Sequence, residues 1–249
     1  LNELKKKITK KTRVIMPVHL YGSVVDIGEI KKIIKKRKIF IIDDCAQAHG
    51  AKDDKGRKVG SLADISTFSL YPGKNLGAYG DAGVITTNNK SLYEKIRKIR
   101  NLGAEKKFRH EIIGMNSRLD SMQALILNYK LKDLTRLNQL RRKIASEYDR
   151  KIINNKIQKI KYSKHSVFHQ YVIIVKERKR LIEYLKKSQI QFGFHYPYAI
   201  HQLEVFKKLF KKKRFSNAEI LAKYGISIPI NPLLTKKEVL YIINKLNSF

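Results

Sequence analysis

Apolar and polar positions in the first half of the chain alternate between short strand-like blocks and segments with helical spacing. Residues 13–22, RVIMPVHLYG, form an apolar run closed by glycine. Residues 26–37, DIGEIKKIIKKR, open on an aspartate cap and repeat apolar residues three and four apart, which predicts a helix. The blocks IFIIDD (39–44), DISTFSL (64–70) and AGVITTN (82–88) predict strands, the last followed by an asparagine-capped helix from Asn89. Short apolar strands between amphipathic helices predict a largely parallel sheet covered on both faces. Ligands are then expected at the carboxyl ends of its strands, where Asp43, Asp44 and Lys74 fall. From Ser117 to Ile153 helical periodicity runs on without Gly or Pro, which predicts one long helix with at most one break. Beyond it, strand-like FHQYVIIV (168–175) and QFGFHY (191–196) flank a helical RKRLIEYLKKS (178–188), and a last helix starts at Lys236. This second pattern reads as a smaller α+β domain that shares the long helix with the first.

Composition changes the picture in two respects. The 54 Lys and Arg against 21 Asp and Glu give a formal net charge of +33, a value that suits a nucleic-acid binder. The cations are spread over the whole length with Ile and Leu between them, as on solvated helix faces. No zinc-finger spacing, aromatic RNA-binding signature or GXXG clamp accompanies them, so no specific nucleic-acid contact is expected. A basic protein that binds nucleic acid or another acidic partner remains the second reading. An apolar content of 43%, no apolar stretch of about 18 residues, and a single cysteine, Cys45, together predict a soluble cytoplasmic protein with no membrane span. Residue 1 is Leu rather than Met, which leaves room for residues upstream.

Lys74 stands apart from the charged runs. Within FSLYPGKNLGAYGDAG (68–83) its nearest charged neighbour in sequence is Asp81. A phosphate-binding P-loop would need Gly at Phe68 and Ser or Thr at Asn75, and the glycines that follow form no dinucleotide fingerprint. A lysine on a Pro-Gly turn at one strand end, with Asp44 at another, supplies the two groups pyridoxal phosphate (PLP) requires. These are an amine to condense with its aldehyde and a carboxylate that keeps its ring nitrogen protonated. By spacing alone, a plain loop lysine and a strand-end cap account for the pair more simply.

The surrounding motifs shift that balance. PVHLYG (17–22), DDCAQAHGA (43–51), GRKVGSLADISTFSLYPGKNLGAYGDAG (56–83) and GMNSRLDSMQA (114–124) resemble, in order and spacing, the DegT/DnrJ/StrS family of sugar-nucleotide aminotransferases. SVFHQYVIIV, FGFHYP and SIPINPLLT extend the resemblance over essentially the whole chain. It implies an α/β, aspartate-aminotransferase-like fold (PLP fold type I). Residues 1–130 would be the C-terminal part of a PLP-binding large domain with a mostly parallel sheet, 131–154 a connecting long helix, and 155–249 a small α+β domain. The resemblance also implies Lys74 as the lysine bonded to the cofactor, Asp44 as the partner of the pyridine nitrogen, Gln47 as a polar contact near the ring and Ser69 as a phosphate ligand. Asn116 would reach the phosphate in a neighbouring subunit, making a homodimer with a composite active site, and His195 and Tyr196 match a substrate-side element.

The activity so implied is transfer of an amino group from glutamate to a keto group of a nucleotide-linked deoxysugar. YPGKNLGAYGDAG is most similar to members that act at C3, often on thymidine diphosphate sugars. Lysine at position 74, where relatives that remove a hydroxyl carry histidine, favours transamination. Members of the family normally begin well before RVIMPVHLYG, with a phosphate-binding turn, a ring-stacking aromatic residue and several strands. An N-terminally truncated chain is therefore expected, with weak cofactor binding and a catalytically incomplete site if these residues are the whole protein. No metal is expected, because His165 and His169 precede a strand, where a four-residue spacing does not converge. Cys45 is expected to be packed and inert, and His19 and His49 to line the site or bond loop carbonyls. Tyr71 and Tyr79 are expected to pack under the lysine loop or touch a ligand, and Gly77, Gly80 and Gly83 to let backbone approach one.

Overall fold

In the computed structural model, which describes residues 1–249 except Lys36 and Lys212, the chain divides into two units. One comprises Leu1–Asn138 with Tyr162–His169, the other Gln139–Lys161 with Gln170–Phe249. The first unit runs through α1 (Asn2–Lys7), β1 (Val14–Ile15), α2 (Ile27–Ile34), β2 (Phe40–Asp44), β3 (Ile65–Ser69), β4 (Gly83–Thr86), α3 (Lys90–Arg100), β5 (Ala104–Lys106), β6 (Arg109–His110), α4 (Ser121–Leu131) and the start of α5 (Leu134–Lys151). Strands β1, β2 and β3 pair in parallel, and β4 adds to β3 antiparallel, in the order β1-β2-β3-β4. Strands β5 and β6 form a separate antiparallel pair.

The first unit's core follows from two periodicities. Ile27, Ile30 and Ile34 recur along one stripe of α2 and pack with Ile41 of β2 and Leu62. Asp26 caps that helix, its carboxylate accepting the Glu29 N–H at 3.0 Å. Along β2 successive side chains face opposite ways, so Ile41 and Asp43 are buried while Phe40 is exposed. Val14, in register with Phe40, is exposed with it, so the two-sided cover predicted for the sheet is incomplete at β1 and β2.

The long helical stretch resolves into α4 and α5 with a break at Lys132–Asp133. Helix α4 starts at Ser121 rather than Ser117 because the Asp120 carboxylate accepts the Met122 and Gln123 N–H groups. Helix α5 leaves the first unit after Asn138.

The second unit contains the rest of α5, then β7 (Ile157–Lys159), β8 (Tyr171–Val175), α6 (Arg178–Lys187), α7 (Glu204–Lys207), α8 (Ser216–Tyr224), β9 (Gly225–Ile228) and α9 (Lys236–Asn247). Its sheet is antiparallel, in the order β7-β8-β9. Strand β8 is buried at four of five positions, the pattern of a strand covered on both sides, and Leu181, Leu185, Ile243 and Leu246 from α6 and α9 are buried with it. Thr235 and Glu238 cap α9 reciprocally. QFGFHY, read as a strand, makes only one bridge, between Gly193 and Ser227; the ladder position beside β8 is taken by β9. Among the described residues no helix is long and apolar enough to cross a membrane.

Candidate active site

Alternation along β2 sends two adjacent carboxylates to different environments. Asp43 is fully buried, its Oδ1 standing 2.7 Å from His19 Nε2, off the line of a good hydrogen bond. His19 Nδ1 accepts the Val25 N–H at 2.9 Å, so the proton of the neutral ring belongs on Nε2, toward Asp43. The ligand atoms of His19, Asp43 and Cys45 gather within 4.8 Å. The His19–Asp43 separation of 2.7 Å is nevertheless shorter than the separation of about 3.3 Å between two ligands of one tetrahedral zinc. Burial pushes the Cys45 thiol well above its usual range, and the negative charge of Asp43 adds to the effect. Such a thiol is unreactive at neutral pH.

Asp44 turns the other way. Its Oδ1 accepts the Ala46 N–H at 2.9 Å, and its backbone is held by the Pro17 carbonyl and the His19 N–H. Asp44 is in register with Thr67, so Ser69, two residues further along β3, lies on the same face of the sheet. After Ser69 the chain turns back on itself. The Lys74 N–H donates to Tyr71 O at 2.9 Å, and the Ala78 N–H to Leu70 O at 2.8 Å. A Cβ on Gly77 would stand 2.4 Å from Pro72 O. Gly77 therefore admits the close approach of the loop's own backbone.

This turn leaves Lys74 half-buried. Burial lowers the pKa of its ammonium group, while the negative charge of Asp44 acts in the opposite sense. The amine and the carboxylate are thus close enough to act on each other. Gln47 is buried, and its Oε1 accepts the Tyr21 N–H. Ser69 Oγ receives a long contact, 3.4 Å, from the Tyr71 N–H.

His49 is buried behind the lysine loop with its ring centroid 5.4 Å from that of Phe68. Burial pushes its imidazole down to about 4; the Ser69 backbone opposes this from a position too poorly aligned for a hydrogen bond, and the Lys74 charge adds to it. The ring is neutral at physiological pH.

Sequence reasoning missed Asn75. Its Nδ2 donates to Asn138 Oδ1 at 2.9 Å and to Val167 O at 3.0 Å, while its Oδ1 faces His169 Nδ1 at 3.1 Å. Adjacency to Lys74 was the only signal, because the partners lie more than 60 positions along the chain. Helix α4 supports the loop from another side: Gln123 Oε1 accepts the Tyr79 N–H, and Lys130 Nζ donates to Gly77 O. Tyr71 and Tyr79 are themselves exposed rather than packed beneath the loop.

The remaining sequence-derived residues stand elsewhere. Asn116 is exposed, bridged to Asn101, and its Oδ1 accepts from Arg118 Nε at 3.1 Å. His195 and Tyr196 belong to the second unit, where His195 Nδ1 lies 2.7 Å from Ser227 Oγ and Tyr196 is exposed. Lys74, Asp44, Ser69 and Gln47 all belong to the first unit, on β2, β3 and the segments that follow them, and the charge of Asp44 acts on the Lys74 amine.

A half-buried amine whose pKa burial lowers, under the charge of a carboxylate at a strand end, suits condensation with a carbonyl compound. With the mixed sheet and its helices, this defines an α/β fold of the aspartate-aminotransferase kind. The chain belongs to the DegT/DnrJ/EryC1/StrS aminotransferase family, whose model matches residues 1–247. It is 41% identical, over 99% of its length and 68% of the relative's, to the dTDP-3-amino-3,6-dideoxy-alpha-D-galactopyranose transaminase of Aneurinibacillus thermoaerophilus. It superposes on S. venezuelae DesV, solved in complex with a reaction intermediate, with a TM-score of 0.93 at 33% identity, covering 98% of this chain and 67% of that one. NtdA of Bacillus subtilis, solved with its cofactor PMP bound, matches with a TM-score of 0.86 at 26% identity, covering 98% and 58%. The chain thus spans about two thirds of the length of such relatives.

Proposed function

We propose that this chain carries the cofactor lysine of a PLP-dependent aminotransferase that moves an amino group from glutamate to C3 of a nucleotide-linked keto sugar. The observation that carries the reading is the Lys74–Asp44 pair: a half-buried amine with a depressed pKa, under the influence of a carboxylate on the neighbouring strand. These residues fit the cofactor. When bound, it supplies an aldehyde for amines to condense with and a ring that takes up electrons. Asp44, whose backbone is bonded to Pro17 and His19, would keep a proton on the ring nitrogen. Gln47 would contact the ring, and Ser69 would hold the phosphate. Lys74 Nζ, once neutral, takes a proton from the α-carbon of the amino donor and returns one to the carbon that receives the amine.

Asn116, exposed on the loop before α4, is available to a second copy, and we assign it to the phosphate of that copy's cofactor. His195 and Tyr196 are assigned to the sugar. The C3 position rests on the relative named for a 3-amino sugar and on the local motif around Lys74. A cytoplasmic setting fits nucleotide-linked substrates.

Stopped assays with glutamate and matched 3-keto and 4-keto sugar nucleotides test this reading. Amine incorporation into the 3-keto sugar is expected, and Lys74→Ala should remove it by at least about a thousandfold, the loss typical of a group that acts as both nucleophile and base. Turnover of the 4-keto compound alone would overturn the C3 assignment. Full activity in Lys74→Ala would overturn the mechanism.

A further inference from the structure

We propose that Asn75 is a positioning residue for Lys74: its carboxamide ties the peptide after the lysine to two other segments of the first unit, through Asn138 and through Val167 and His169, and so holds the amine in its half-buried place. The inference rests on the catalytic reading of Lys74 given above. Both Nδ2 protons are used, toward Asn138 Oδ1 and Val167 O. Reversing the amide would set oxygen against the Val167 carbonyl, so the orientation is determined and Oδ1 is the atom that faces His169 Nδ1. Asn138, buried in α5, passes the link on by donating from Nδ2 to His49 O at 2.8 Å.

The residues that receive these bonds are themselves fixed. The Val167 and His169 N–H groups donate to Gly22 O and Tyr21 O at 3.1 and 2.9 Å. Val24 N–H donates to Ser163 Oγ, and Ser163 N–H to Ser23 Oγ. The approach is close because residue 22 is glycine: with φ at +86°, a Cβ there would lie 2.8 Å from Val167 and 2.9 Å from Gln47 O. The Tyr21 N–H in turn donates to Gln47. A continuous path of hydrogen bonds and short backbone steps thus joins the lysine's neighbour to Gln47, on the segment that follows Asp44. A buried network of this kind holds geometry only while every member is paired.

The test uses the ligand-free full chain, so that it does not depend on the cofactor. Competitive acetylation across pH, read peptide by peptide by mass spectrometry, gives the titration midpoint of each lysine. Lys74 should titrate below the ordinary lysine range. Asn75→Ala should raise the Lys74 midpoint and cut the neutral amine at fixed pH severalfold, while the acetylation of Lys5 and Lys7 stays as in the wild type. Asn138→Ala, which cuts one link from the far side, should shift it the same way by less, and it decides the matter if Asn75→Ala does not fold. A wild-type Lys74 midpoint in a folded Asn75→Ala chain, or in Asn138→Ala should that be the only folded variant, would overturn the proposal. A merely structural asparagine would change unfolding without moving that midpoint. Failure of the wild-type chain to load PLP on Lys74 would count against the catalytic reading and leave these outcomes as they stand.

Discussion

Side chains near the lysine loop divide by what surrounds them, and His49 gives the clearest consequence. An unfolded histidine titrates near 6.5, whereas burial holds the His49 imidazole at about 4. Between these values the unfolded chain binds a proton that the folded chain refuses, so stability falls as pH drops through this window. The loss amounts to about 3 kcal/mol by pH 4. Urea unfolding at pH 7 and pH 4.5 should show that decline, and His49→Gln should flatten it; an unchanged slope would contradict the assignment. Cys45 should react with thiol reagents only on unfolding, because its thiol is both buried and hard to ionise. Lys74 and Asp44 stand out in the sequence because each sits in a distinctive local motif, at or just beyond a strand end. The burial of His49 and the pairing of Asn75 do not, since they are set by residues far away in the chain, such as Asn138 and Val167.

Elements were legible where pattern and cap agree. Helix α2 begins at its aspartate and α9 at its threonine, as local chemistry requires. The break between α4 and α5 has no Gly or Pro to announce it, and Ser117–Asp120 shares the helical pattern while lying outside the helix, with Asp120 as the cap. Asp120→Ala should therefore cost about 1 kcal/mol in unfolding experiments. QFGFHY has strand propensity yet loses its place to β9, a competition between distant segments that local pattern cannot decide. At the lysine loop, Gly77→Ala sets a methyl group against the Pro72 carbonyl. Its expected cost is about 2 kcal/mol of stability. Displacement of the loop should also weaken cofactor binding about tenfold, measured by absorbance titration; wild-type values on both counts would show that the loop yields without consequence.

For the molecule as a whole, the outer side of α4 is conspicuous. Met122, Leu125 and Tyr129 recur at three- and four-residue spacing, each 72% exposed, on the helix that buttresses the lysine loop. A stripe of this kind fits the homodimer that the assignment of Asn116 requires. Leu125→Asp should shift the chain to monomer in sedimentation experiments and lower activity at least tenfold; an active monomer would remove the composite site. The central claim concerns one amine. Incubation with PLP, borohydride reduction and peptide mapping test it most directly: the account predicts a cofactor adduct concentrated on Lys74 and lost in Lys74→Ala. An adduct spread over exposed lysines, unchanged by that substitution, would contradict it.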